Sequence, residues 1–527
     1  MAVDYVLEIF LAAIITLLPV LFYFYLTSEY SYWKKRNVPY IKPSFPFGNI
    51  KDQVINKADI GTCFKVLYDQ MPNEKYFGIF ELGKPTLVLR DQSIIKAVMV
   101  TDFYNFADRG HIHQDVKKDF LAALHLFNLK DKEWKRMRTK LTPTFTSGRM
   151  KKMYHLMFMC SLELDKYLEN VAKSNETVEF KDLLSRFTSD SISSCLFGLQ
   201  TNAVMEKDSE VRKISKLMFP IELWNQIKLM LSINQPYVYD LLGLEINHKK
   251  VKEFCMQVAK ETYDYRVNNN IYREDFIDLL IKIKQNKNLY DDEEDDKEKA
   301  ESRHSDGSND GLTFEEMAAQ VFVMFAAGFE TSSTTTTMAL YEMARQPDIL
   351  AKAVQEVDQV LKRHGGQITY QSLKDMAYLE QVIYETLRLY PSLPILTRKC
   401  TKPYKMPDRD LMVESGVRVI IPSFAINRDP EIYPDPLRFD PERFNPSNTK
   451  EHKVVNLHFG DGPMACIGMR FGKMQVKCAL TTILSKYEVS VVPETPEKIT
   501  LDPRSFLPAP LESILLRVSK RQDVYFM

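Results

Sequence analysis

The chain has 527 residues, 45% of them apolar, and its 70 basic side chains are balanced by 70 acidic ones. It is long enough to bury a large core, and its even charge excludes a protein held to nucleic acid by a global field. Seven cysteines are scattered without a CxxC pair, which argues against a zinc knuckle or a disulfide framework and suits a reducing compartment.

The first element is the uncharged run IFLAAIITLLPVLFYFYL, Ile9 to Leu26. It has about the 20 residues that span a bilayer, and Pro19 is tolerable in a membrane helix. Tyr30, Tyr32 and Trp33 read as an interfacial aromatic belt. Lys34, Lys35 and Arg36 then form a basic stop that predicts the rest of the chain on the cytoplasmic side. A cleaved signal peptide is the alternative, but its apolar region is usually shorter and ends at a small-residue site. Pro39, Pro43 and Pro46, with Gly48, predict a stiff, non-helical spacer. The expected organisation is an anchor (1–30), a basic, proline-rich hinge (31–50) and one large domain (51–527).

Short β-like runs follow at Pro85–Arg90 and, far downstream, Val417–Ser423. Between them lie helical patterns such as VKEFCMQVAKETYDYRVNNN and REDFIDLLIKIKQN, so the domain reads as mainly α with a minor β component. In DKEWKRMRTK, Trp134 and Arg138 stand four apart and present an indole N–H and a guanidinium on one helical face, a pair suited to an anionic group. No internal repeat is present. Tyr290 to Gly311 is acidic and of low complexity, and predicts a solvated loop.

After that loop, Thr313 and Glu316 make a capping box, and Pro347 provides a stop. The helix predicted between them, Phe314 to Arg345, would be about 48 Å long and apolar nearly all round, so it crosses the core. Its centre carries Glu330, Thr331 and further hydroxyls, which are costly there unless paired or wet. Downstream, Glu385 and Arg388 share a helical face among apolar neighbours, with Arg443 of DPERFNP as a candidate third member. Finally HFGDGPMACIGMRFG, His458 to Gly472, holds one cysteine in a glycine turn at the mouth of a helix.

Together, and in this order, these motifs resemble the cytochromes P-450. Phe459-Gly460-Asp461-Gly462…Cys466-Ile467-Gly468 resembles their haem-binding loop. Ala327-Gly328-Phe329-Glu330-Thr331 resembles their oxygen-activating groove, Glu385-Thr386-Leu387-Arg388 their ExxR pair, and Pro441-Glu442-Arg443-Phe444 the arginine that completes its triad. Trp134-x-x-x-Arg138 is similar to their propionate-binding helix. LTPTFTSGRMKKMY, REDFIDLLIKIK and AAGFETSS look most like the insect microsomal branch.

The resemblance implies a cytochrome P-450 fold with the long helix crossing the haem, preceded by one transmembrane helix. It implies haem b with Cys466 as axial thiolate, a ligand that pushes electron density onto the iron. Phe459 and Gly468 would belong to the cofactor loop, and Cys478 reads as a core thiol. Trp134, Arg138 and Arg398 would hold the propionates. Glu330 and Thr331 would be the catalytic proton-delivery pair. Glu385, Arg388 and Arg443 would be structural.

The implied activity is monooxygenation of an apolar molecule by O2, with NADPH electrons from NADPH-cytochrome P-450 reductase and cytochrome b5 as a further partner, at the endoplasmic reticulum membrane. A haem-thiolate isomerase or dehydratase, and a haem-binding protein with little catalysis, are the alternatives. Lys130, Lys132, Lys135, Arg136 and Lys140 are a candidate docking face, the other reading being a solvated helix face. Substrate contacts are expected after Phe103, over Phe322–Thr331 and Leu393–Leu396, and over Ser505–Leu507.

Three departures from the family pattern stand out. Met464 replaces an arginine that pairs with a propionate, His458 replaces a proline, and Asn427 replaces a common histidine. His458 is either a substitute for the lost arginine or a plain exposed histidine.

Overall fold

The computed structural model describes residues 2–110, 112–174, 176–206, 208–273, 275–285, 311–408, 411–451 and 455–522. The acidic stretch, apart from Gly311, lies outside them. The rest is mainly helical with a minor β component, as the periodicity predicts.

The chain opens with helix α1, Ala2–Thr27, of 26 residues. It is longer than the apolar run because Asp4 and Tyr5 extend its first turn, and a carboxylate is favourable at a helix N-terminus. Among the described residues, no helix is long and apolar enough to cross a membrane; the side chains of residues 9–15 are not among those described. Leu17, Leu18, Leu21, Phe22 and Phe24 are exposed along α1.

Trp33 departs from the expected aromatic belt. It is 1% exposed, its Nε1 donates to the Ile79 carbonyl, and its ring lies against Gly78, where an added Cβ would stand 2.4 Å away. An indole with a protein hydrogen-bond partner and a glycine to receive it is a core residue. The proline-rich segment likewise runs along the sheet, with bridges Tyr40↔Gly78 and Gly48↔Glu81.

Strands β1 (Tyr76–Glu81) and β2 (Lys84–Leu89) form an antiparallel hairpin with Tyr76 opposite Leu89. Helix α2 spans Asp131–Leu141 and α3 Phe180–Ile192. Two surface helices, α4 (Leu223–Asn234) and α5 (Pro236–Leu241), carry exposed Leu223, Trp224, Tyr237 and Leu241. Tyr25 of α1 donates to the Gln235 side chain between them at 2.6 Å.

Helix α6, Phe314–Arg345, has the predicted limits and 32 residues. Both halves of the Thr313–Glu316 capping box form, satisfying two end N–H groups. This helix is the hub of the fold. It packs on α3, on α7 (Ala377–Leu389) and on α8 (Met469–Lys486), within one large apolar core. Strands β3 (Leu396–Lys399) and β4 (Arg418–Ile421) complete a four-stranded sheet, order β1-β2-β4-β3, with β2 and β4 parallel. Arg398 stands opposite Val419 in the β3–β4 pair.

Candidate active site

The cysteine loop is shaped by two glycines with left-handed backbone, Gly460 (φ 69°) and Gly462 (φ 68°). At Gly462 a Cβ would stand 2.0 Å from the Met99 carbonyl oxygen, so no side chain fits. The turn closes with the Cys466 N–H donating to the Phe459 carbonyl at 2.8 Å, and α8 starts three residues later. Cys466 is exposed by surface area. Even so, burial is the largest influence on its thiol and raises its pKa, against the downward pull of a Gly468 backbone hydrogen bond and of Arg138 and Arg109. A side chain both open and deeply enclosed borders an internal cavity. Cys478 is fully buried in α8, a core thiol as expected.

The middle of α6 is more open than the turns on either side of it. Ala327 is exposed and Val323, Gly328, Glu330 and Thr331 are half-buried, in a helix whose flanks are buried. Thr331, Ser332 and Thr335 of α6 line a cavity together with Ile383 and Leu387 of α7, Phe459, and Gly472 and Val476 of α8.

Three guanidiniums lie close to one another, and two of them, Arg109 and Arg138, act on Cys466. Arg398 is 4% exposed on β3; its Nη1 donates to the Thr397 carbonyl and its Nε has no partner. Arg138 of α2 lies one turn from Trp134, whose Nε1 is buried and unpartnered. Arg109 is the member that sequence reasoning missed. Its loop docks on the β3 edge, where the Lys399 N–H donates to the Asp108 carbonyl at 2.7 Å. From there it donates to the carbonyls of Phe127 (3.2 Å) and Met464 (3.1 Å). Burial, then Arg398 and Arg138, push its pKa down to about 9. Burial brings Arg398 down to about 10 and also lowers Arg138. Among the described residues none of the three is ion-paired with a carboxylate. Buried cations that repel one another, beside an orphaned indole N–H, call for an anionic ligand. A flat, dianionic haem with a thiolate ligand fits this donor set.

His458 takes neither of its expected roles. Its ring lies among Tyr384 (5.6 Å) and Phe444 (5.3 Å), and both ring nitrogens are buried without a partner. Burial, and secondarily Arg388, push its pKa down to about 3, so it is neutral and not exposed. Met464 is buried in the core, and its carbonyl is held by Arg109. Asn427 is 2% exposed and contributes its backbone carbonyl to Arg388.

Glu330 and Thr331 are adjacent on α6, yet no hydrogen bond joins them in the structure. The Thr331 hydroxyl donates to the Ala327 carbonyl at 2.6 Å, a back-bond one turn up the helix. The Glu330 carboxylate accepts from the Lys181 ammonium at 2.7 Å.

Behind the cavity, Glu385 and Arg388 are both fully buried and joined by two hydrogen bonds, Nε–Oε2 at 2.7 Å and Nη2–Oε1 at 2.8 Å. Arg443 stands 3.6 Å from Glu385 without hydrogen-bond geometry through its Nε, and the Asp440 N–H donates to Glu385 at 2.7 Å instead. Of the basic face, Lys130, Lys132 and Lys135 are exposed, whereas Arg136 is tied to Glu133 and Glu316.

Comparison with known proteins identifies the family. The profile of the cytochrome P450 family matches residues 56–516. Cytochrome P450 6j1 of Blattella germanica is 35% identical over 96% of this chain and 97% of its own length. Cytochrome P450 6a2 of Drosophila melanogaster is 37% identical over 98% of this chain and its full length, and cytochrome P450 6B1 of Papilio polyxenes 34% identical over 97%. All three are insect proteins. Sequence and fold therefore agree that the chain belongs to the cytochrome P450 family, the haem-thiolate monooxygenases.

Proposed function

We propose that the chain is a membrane-anchored monooxygenase of apolar small molecules, with Cys466 as the thiolate ligand of haem b and with electrons delivered from NADPH by a flavin-containing reductase. The observation that carries this reading is the gathering of Arg109, Arg138 and Arg398, none ion-paired with a carboxylate, around Cys466, with the orphaned Trp134 N–H one turn from Arg138.

When bound, the haem supplies the activation of O2. The chain's own groups do the rest. The Gly468 N–H and the α8 N-terminus steady the negative sulfur. Trp134, Arg138, Arg398 and Arg109 hold the propionates. Glu330 and Thr331 hold and pass protons at the cavity. Glu385, Arg388 and Arg443 brace the wall behind it. Phe322 and Val323, beside Ala327, present apolar surface to a substrate.

The anchor reading is supported by the apolar face of α1 continuing onto exposed Leu223, Trp224, Tyr237 and Leu241 of α4 and α5. In this reading residues 1–30 anchor the chain, 31–50 lead from the membrane and 51–527 form the catalytic unit, on the cytoplasmic side of the endoplasmic reticulum. Exposed Lys130, Lys132 and Lys135 suit docking of the reductase, with cytochrome b5 as a second donor.

Purified enzyme should convert an apolar substrate only with NADPH and reductase present. Thr331→Ala should send a larger share of the electrons into hydrogen peroxide. Turnover without any electron donor would point instead to a haem-thiolate isomerase or dehydratase.

The arginine cluster has its own test. A charge-assisted hydrogen bond contributes about 1.5–3 kcal/mol, so Arg109→Ala should speed haem transfer to an apo-acceptor protein roughly tenfold or more. His458→Ala should leave that rate unchanged, because the imidazole is neutral and packed among aromatic rings.

A further inference from the structure

Glu330 is not free in the structure. The Lys181 ammonium, on the first turn of α3, has three oxygen neighbours. They are Glu330 Oε1 at 2.7 Å, the Ser333 hydroxyl at 2.9 Å and the Ser185 hydroxyl at 3.3 Å. The carboxylate also lies 3.5 Å from the Thr334 hydroxyl. Both charged side chains are largely buried, 17% and 16% exposed. They end a seam between α3 and α6 that is lined with hydroxyls. Ser185 and Thr188 lie on one helix and Ser333, Thr334 and Thr337 on the other, and the Thr188 hydroxyl bonds the Phe329 carbonyl. Such a seam is unusual for two core helices, whose contacts are normally apolar.

A buried carboxylate without its cation either turns toward water or takes up a proton. In either case the charged carboxylate is lost from the position it holds one residue from Thr331. We propose that Lys181 is a positioning residue for proton delivery, its ion pair with Glu330 and its bonds to Ser185 and Ser333 fixing the carboxylate one residue from Thr331, which lines the cavity. This inference rests on the proton-delivery reading of Glu330 and Thr331, and it adds a residue on a separate helix that acts through Glu330. Arginine at 181 keeps the charge and the reach; methionine keeps the volume and loses the charge.

The test is a two-residue cycle on Lys181→Met and Glu330→Gln, with each protein first checked for its reduced carbon monoxide band. Hydrogen peroxide released per NADPH consumed is then measured. Lys181→Met should leak about as much as Glu330→Gln, several-fold above wild type. The double variant should leak no more than either single one, and Lys181→Arg should restore most of the coupling. A readout independent of turnover is thermal unfolding. The double variant should be destabilised less than the sum of the two single changes, because each single change strands one charge. Wild-type coupling in Lys181→Met, or additive leaks, overturns the role of Lys181. Wild-type coupling in Glu330→Gln overturns the proton-delivery reading itself, and the inference with it.

Discussion

Cys466→Ala should abolish the thiolate-type Soret band of the reduced carbon monoxide complex, while Cys478→Ala should keep it. Both cysteines lie at or in α8, but they meet different surroundings. Cys466 is open to the cavity and faces Arg138 and Arg109 with a Gly468 N–H beside it. Cys478 is fully buried, and burial pushes its thiol up to about 12. A thiolate is the ligand form, and of these two thiols only Cys466 has guanidiniums beside it to favour the negative charge. Loss of the band in Cys478→Ala, with its survival in Cys466→Ala, would reverse the assignment.

Arg388→Ala should leave little folded, haem-loaded protein. Arg388 is fully buried and makes five hydrogen bonds. Two reach Glu385, and the others reach the carbonyls of Asn427, Pro436 and Arg438. They tie α7 to the chain leading into the cysteine loop. Without the guanidinium, Glu385 becomes a stranded carboxylate whose pKa burial already raises. Breaking a buried pair in this way costs about 3–5 kcal/mol, a large part of the roughly 5–15 kcal/mol that holds a domain folded. Arg388→Lys should fall in between, since one ammonium cannot replace a fork with five bonds. Arg443→Ala should be milder, because Arg443 stands 3.6 Å from Glu385 and is partly open. The measurement is the soluble yield and the haem content per polypeptide. Wild-type yield of Arg388→Ala would refute the bracing role.

Most of the frame was legible in the sequence because its signals are local. The α6 limits follow from Thr313, Glu316 and Pro347, and the cysteine loop from glycines that the backbone itself demands. Glu385 and Arg388 are three apart on one helix. The unread parts depend on contacts between distant segments. Arg109 joins the site only because residue 108 pairs with the β3 edge at Lys399, and nothing near Arg109 in the chain announces that pairing. Lys181 reaches Glu330 across 149 positions. Trp33 looked like a membrane-interface residue because its sequence neighbours are aromatic and basic, whereas Gly78 and the Ile79 carbonyl receive it in the core. His458 was open to two readings because neither the rings beside it nor its burial show in the neighbouring sequence.

The placing of Trp33 also sets the length of a leash. Helix α1 ends at Thr27 and the packed body resumes at Tyr32, 8% exposed. Four residues intervene, a reach of no more than about 17 Å even when fully extended. The Tyr25–Gln235 hydrogen bond takes up part of that slack. A body tied so closely cannot roll freely about α1. In the proposed membrane-anchored reading, α4 and α5 meet the surface that α1 enters, and the same face of the protein is turned toward it each time.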